Sequence, residues 1–86
     1  MSRKIIFLKN AQKQFDYFQK HNSDLADKII GLLAETIKNP FYGIGMPEPL
    51  KFELSGLWSR RINKEHRLIY KVEKDFIIVV SCRFHY

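Results

Sequence analysis

LWSRRINKEHRLIYKVEKDFIIVVSCRF, residues 57–84, is the stretch whose reading decides the fold. Three apolar-rich segments, 57–62, 66–72 and 76–84, are parted by Asn63-Lys64-Glu65 and Glu73-Lys74-Asp75. Segments rich in β-branched and aromatic residues with short polar interruptions predict strands joined by tight turns. Even positions Trp58, Ile62, Leu68, Tyr70, Val72, Phe76, Ile78, Val80, Cys82 and Phe84 are apolar, whereas odd positions Ser59, Arg61, Arg67, Lys71, Ser81, Arg83 and His85 are polar. Side chains alternate across a strand. With three-residue turns, residue 62 pairs with 66 and 72 with 76, so like parity shares a face. The even face is then expected to meet helices, and the odd face to carry Arg61, Arg67, Arg83 and His85 together. Ile69, Ile77 and Val79 break the alternation, which predicts that the odd face is partly covered at the hairpin end away from His85.

Upstream, Ile5-Ile6-Phe7-Leu8 between Lys4 and Lys9 reads as a strand covered on both faces. Asn10 is a candidate N-cap for a helix with Ala11, Phe15 and Phe18 on one face, ending at His21-Asn22. Asn22 or Ser23 can cap a second helix, with Asp24 and Asp27 in its first turn. Its stripe is Ala26, Ile29, Ile30, Leu33 and Ile37, and Pro40 stops it. Gly43, Gly45, Pro47 and Pro49 keep the next loop irregular, before a short strand expected at 51–54 and a turn at Ser55-Gly56. These elements predict an α+β fold in the order βααβ(β)ββ, two helices packed on one face of a mainly antiparallel sheet.

A chain of 86 residues is expected to form a single domain, 1–86, burying roughly 60–65% of its unfolded surface. Hydrophobic residues make up 45%, enough for a real core. The single Cys82 excludes an intramolecular disulfide and a Cys-rich zinc site, and a reducing cytoplasm is the expected location. No apolar run approaches the roughly 20 residues that span a bilayer, so neither an anchor nor a signal is expected. The net charge of +6 predicts an anionic partner, either nucleic acid or an acidic protein. The charge is spread rather than gathered in a tail: seven Lys/Arg face four Asp/Glu in residues 1–45, and eight face five in residues 46–86.

Most of the singled-out residues have an ordinary structural explanation. Arg60, Arg61 or Arg83, each taken alone, reads as a solvated or edge-protecting charge. Arg67 lies among apolar neighbours, where an unpaired guanidinium is costly, so an anion is expected to meet it. Glu48 by itself is a loop carboxylate. His66 reads as a hydrogen-bonded core histidine, His21 as a helix-end residue, Trp58 as core, and Cys82 as a small buried hydrophobe rather than a nucleophile. The three histidines lack metal-ligand spacing, so no metal is expected. Chain ends usually fray, and a terminal His85-Tyr86 is better explained by function.

Asn39-Pro40-Phe41, Pro47-Glu48-Pro49-Leu50-Lys51, the nine residues from Leu54 through Ser59-Arg60-Arg61 to Ile62, Glu65-His66-Arg67-Leu68-Ile69-Tyr70, and the closing Cys82-Arg83-Phe84-His85-Tyr86 resemble the YoeB/Txe branch of the RelE superfamily of toxins. The motifs cover about half the chain, in matching order. The resemblance implies a RelE-like fold and metal-independent RNA transesterification with no cofactor. It implies Glu48 as base, His85 as acid, Arg67 on the phosphate, Lys51, Arg61 and Arg83 as substrate contacts, and Tyr86 positioning the nucleotide. Members cut messenger RNA in the ribosomal A site and are held inactive by an antitoxin, here expected to be YefM-like. Ribosome, messenger and antitoxin are thus the implied partners, with operator DNA reached only through the antitoxin complex, no membrane, and a homodimer as an open option. A ParE-like gyrase inhibitor and a non-catalytic RNA- or ribosome-binding module are the alternatives; neither needs the Glu48–His85 pair.

Overall fold

The computed structural model describes residues 3–84. The elements run β1 (Lys4–Phe7), α1 (Lys9–His21), α2 (Ser23–Lys38), β2 (Glu48–Pro49), a 3₁₀ turn (Phe52–Leu54), β3 (Leu57–Arg61), β4 (Arg67–Val72) and β5 (Phe76–Ser81). The strands form one sheet in the order β1-β5-β4-β3-β2. β1 lies parallel to β5, and the other three pairs are antiparallel. A parallel pair needs a long crossover, which the intervening helices and hairpin provide.

Both helices form for the expected reasons. Ala11, Phe15 and Phe18 are the buried face of α1, at helical spacing. The helix starts two residues earlier than expected: Leu8, not Asn10, stands at the N-cap, with no side-chain bond to the helix. The Asn22 side chain caps α2 by accepting from the Leu25 backbone N–H at 3.2 Å. α2 ends at Lys38, two residues before Pro40. Its buried stripe is Leu25, Ala26, Ile29, Leu32, Leu33 and Thr36, rotated from the expected one, so Ile30 is half exposed.

The helices cover Ile62, Leu68, Tyr70, Ile77, Val79 and Cys82 of the sheet, and Trp58 packs against this core from its margin. The β3–β4 register is the expected one: Arg61 faces Arg67, Trp58 faces Tyr70, and the Ile62 N–H donates to His66 O. The β4–β5 register is not. Val72 pairs with Ile77 rather than Phe76, and Glu73 N–H donates to Phe76 O, which leaves a two-residue turn at Lys74-Asp75. A one-residue slip exchanges the faces of a strand. Here it moves Ile77 and Val79 into the core with Leu68 and Tyr70, and takes Val80 out. The expectation that Ile77 and Val79 lie on the cationic face is thereby corrected. A register shift at Ile69/Tyr70 then restores the phase, pairing Ile69 with Ser81 and returning Cys82 to the core.

Two further expectations are corrected. β1 is covered on one face only, because Ile5 and Phe7 pack on the core while Ile6 is 39% exposed. The short strand lies at Glu48–Pro49, not 51–54, where the chain makes the 3₁₀ turn instead. Pro49 has no N–H to donate, and an outermost two-residue strand tolerates that.

Cys82 is fully buried, and desolvation pushes its thiol up to about 11. The fold therefore favours the protonated form: its contribution is complete below the thiol's unfolded value and declines as pH rises toward 11. At pH 7 thiol reagents are expected to modify Cys82 only as fast as the protein opens. Urea titrations between pH 8 and 11 should show a stability decline of up to about 3 kcal/mol that Cys82→Ala lacks.

Candidate active site

The site is assembled by strand register. Glu48 pairs with Ser59, and two residues along the same face of β3 Arg61 pairs with Arg67 of β4. Glu48, Ser59, Arg61 and Arg67 thus share the sheet face opposite Leu68 and the helices. With Met46 they line a cleft of about 180 Å³. Glu48 also borders a neighbouring hollow of about 450 Å³ formed by residues 48–54, to which Lys51 and Phe52 belong.

Two arginines directly opposed across a ladder repel one another. No acidic side chain pairs with Arg61 or Arg67 among the described residues, whose ion pairs are His66–Glu65 and Lys71–Glu73. The Glu48 side chain is exposed and makes no hydrogen bond or ion pair there either. The Arg67 guanidinium bends back over the turn, Nη1 donating to Asn63 O at 3.0 Å and His66 O at 3.3 Å. Backbone carbonyls thus supply part of what an anion was expected to supply, and Nε and Nη2 stay unengaged among the described residues. The cleft is therefore cationic, with one unencumbered carboxylate at its edge.

Arg60 holds the loop that presents Glu48. In the sequence it reads as an edge-protecting charge; in the structure it is 0% exposed, beneath the loop that follows α2. Its Nη1 donates to Ile44 O at 2.8 Å, its Nη2 to Asn39 O and to Tyr42 O, and its Nε to the Tyr70 hydroxyl. The Tyr70 hydroxyl in turn donates to Pro40 O at 2.6 Å. Burial pushes the Tyr70 phenol above its ordinary range, with Arg60 opposing. Gly45 completes the strap: Arg61 N–H donates to its carbonyl at 2.6 Å. At φ +82° a Cβ on Gly45 would also stand 3.1 Å from Arg61 O and Leu32 Cδ2, so only glycine fits this approach.

Arg83 does not join the cleft, which corrects the parity expectation. β5 ends at Ser81, alternation does not persist beyond it, and the Arg83 guanidinium stacks 4.0 Å from the Tyr17 ring of α1. His66 is 7% exposed and hydrogen-bonded, as expected of a core histidine: its Nδ1 accepts from Phe84 N–H at 2.7 Å. His85 and Tyr86 lie outside the described residues. The sequence reading missed Met46, Ser59 and Phe52 as lining residues. The odd parity of Ser59 was the available signal for one of them; Phe52, with φ +57° and almost full exposure, carried none. Among the described residues no cluster of three His, Cys, Asp or Glu is placed to hold a metal ion.

Comparison with known proteins identifies a family and a shared fold. A family model described as the YoeB-like toxin of bacterial type II toxin–antitoxin systems matches residues 7–86. Toxin YoeB of Synechocystis sp. is 46% identical over 83 residues, 96% of each chain. The YoeB dimer of Staphylococcus aureus superposes with a TM-score of 0.93 at 41% identity, covering 100% of both chains. A chain of the YoeB–YefM complex from the same organism superposes at 0.90 with 42% identity, again over 100% of both.

Proposed function

We propose that this chain, which belongs to the YoeB-like toxins of bacterial type II toxin–antitoxin systems, is a ribosome-dependent endoribonuclease that cleaves messenger RNA in the A site. The observation that carries the reading is the pair of facing, acid-free guanidiniums of Arg61 and Arg67 with the open Glu48 carboxylate beside them. A fold tolerates such like-charge opposition at a cost, and an RNA phosphate relieves it.

In this reading Glu48 takes the proton of a 2′-hydroxyl. The 2′-oxygen bonds to the adjacent phosphorus while the bond to the 5′-oxygen breaks. Arg67, through its unengaged Nε and Nη2, holds the charge gathering on the phosphoryl oxygens, with Arg61 and Lys51 adding to the field. His85 gives its proton to the departing 5′-oxygen and Tyr86 orients the nucleotide; both roles rest on the family motif. Arg83 is left out of the chemistry because of its stacking on Tyr17. The Staphylococcus aureus YoeB–YefM complex supports a YefM-like antitoxin as the inhibitory partner, and the YoeB dimer supports self-association.

Messenger on programmed ribosomes is the test substrate. Cleavage is expected to leave a 2′,3′-cyclic phosphate and a 5′-hydroxyl, at a rate undiminished by EDTA at fixed ribosome integrity. Gyrase inhibition with intact messenger would overturn the reading in favour of a ParE-like toxin. Ribosome binding without cleavage would overturn it in favour of a binding module.

A further inference from the structure

The reading of the site leaves His66 without a function, although it is the better connected of the two described histidines. Its ring sits 5.1 Å from Phe18 on the core side and 5.5 Å from Phe84 on the other. Its backbone N–H donates to Asn63 Oδ1 at 2.8 Å. Its Nδ1 accepts the Phe84 N–H at 2.7 Å, which puts the proton of the neutral ring on Nε2, the atom 4.0 Å from Glu65 Oε1. The next residue, Arg67, donates its backbone N–H to Phe84 O at 3.1 Å. Both polar backbone groups of Phe84 are thus held by two consecutive residues at the start of β4.

Phe84 needs such a grip. Its φ is +63°, a left-handed conformation costly for a bulky side chain, and at 52% exposure its ring gains little from the core. A strained, half-exposed residue near a chain end keeps its place only if its surroundings over-determine it. Here two backbone hydrogen bonds, the His66 ring and the Arg83 guanidinium at 4.7 Å do so.

We propose that His66 is a positioning residue of the cleavage site: with the backbone of the phosphate-binding Arg67 it grips Phe84, the residue that precedes the proposed proton donor in sequence. The proposal rests on the nuclease reading above and adds a coupling to it. One residue, Arg67, supplies the guanidinium for the phosphate and half the grip on the segment leading to the proton donor. Its neighbour His66 supplies the other half. Proton transfer is sensitive to sub-ångström placement, so loosening this grip slows the chemical step without weakening substrate binding.

Two substitutions separate the hydrogen-bond acceptor from the ring. His66→Phe keeps an aromatic body between Phe18 and Phe84 but cannot accept; His66→Asn keeps an acceptor near the place of Nδ1 but loses the ring. His66→Phe is expected to lower the single-turnover cleavage rate about 10–100-fold with ribosome affinity unchanged, and to lose exchange protection at the Phe84 amide. His66→Asn is expected to melt lower yet cleave within about fivefold of wild type, because the acceptor is what holds the Phe84 backbone. A purely structural histidine gives the opposite order, with activity following the ring and not the acceptor, and that order overturns the proposal. In the wild-type protein, a scalar coupling across the hydrogen bond between Phe84 ¹⁵N and His66 ¹⁵Nδ1 tests the grip without any variant, and its absence also overturns it. No cleavage by wild type brings down the nuclease reading and the catalytic part of this proposal with it. Wild-type cleavage matched by His66→Phe brings down the proposal alone.

Discussion

Glu48→Gln is expected to slow single-turnover cleavage of A-site messenger by roughly 10²–10⁴-fold, about 3–5 kcal/mol of barrier, while leaving the fold and ribosome affinity intact. The Glu48 side chain is exposed and makes no hydrogen bond or ion pair within residues 3–84, so an isosteric amide disturbs no ion pair and little packing. What the amide cannot do is take a proton. His85→Gln should lose a similar order, and the double substitution less than the two losses multiplied, because base and acid act in one transition state. Arg67→Lys should not rescue either, since a compact ammonium cannot offer two donors in a plane to two phosphoryl oxygens. Glu48→Gln cleaving at the wild-type rate would remove Glu48 as the base. A large fall in melting temperature for the same variant would assign it a structural role instead.

The β3–β4 hairpin was legible because polar Asn63-Lys64-Glu65 separates two segments in which apolar and polar residues alternate; that register places Arg61 against Arg67 without any relative to consult. The β4–β5 register was not, because Phe76-Ile77-Ile78-Val79-Val80 is apolar throughout and gives no phase. Only the tertiary choice to bury Ile77 and Val79 beside Ile5 and Phe7 decides it. The helices were legible from spacing, Asn22 and Pro40, and the RelE-like arrangement of two helices on a five-stranded mixed sheet agrees with the expected class. Glu48 could be paired with the cations only through the resemblance, since a two-residue edge strand containing proline has no periodicity to read. The placing of Arg83 failed for a local reason: alternation was extended past Ser81, where the strand ends.

Arg60 and Arg61 are adjacent and chemically identical, yet their truncation is expected to have opposite consequences, and the pair tests whether the register has been read correctly. Arg60→Met should cost about 3–5 kcal/mol, because it takes the donor from three part-buried hydrogen bonds to the carbonyls of Asn39, Tyr42 and Ile44 and deprives the buried Tyr70 hydroxyl of one partner. A domain of this size has about 4–13 kcal/mol in total, so the melting temperature should fall by roughly 15–30 °C. Arg60→Lys should recover little, since one ammonium on a flexible stem cannot reach three carbonyls and a hydroxyl at once. Because the same bonds hold the loop that ends in Glu48, cleavage should fall as well, but only as far as folded protein is lost or the loop loosens. Arg61→Met removes an exposed guanidinium that faces Arg67, so stability should hold or rise by a few tenths of a kcal/mol while cleavage and ribosome binding weaken. Thermal unfolding and single-turnover cleavage of the two variants, side by side, give the answer. A stable Arg60→Met that cannot cleave would place Arg60 in the chemistry, and an unstable Arg61→Met would mean that the outward face of β3 has been misassigned.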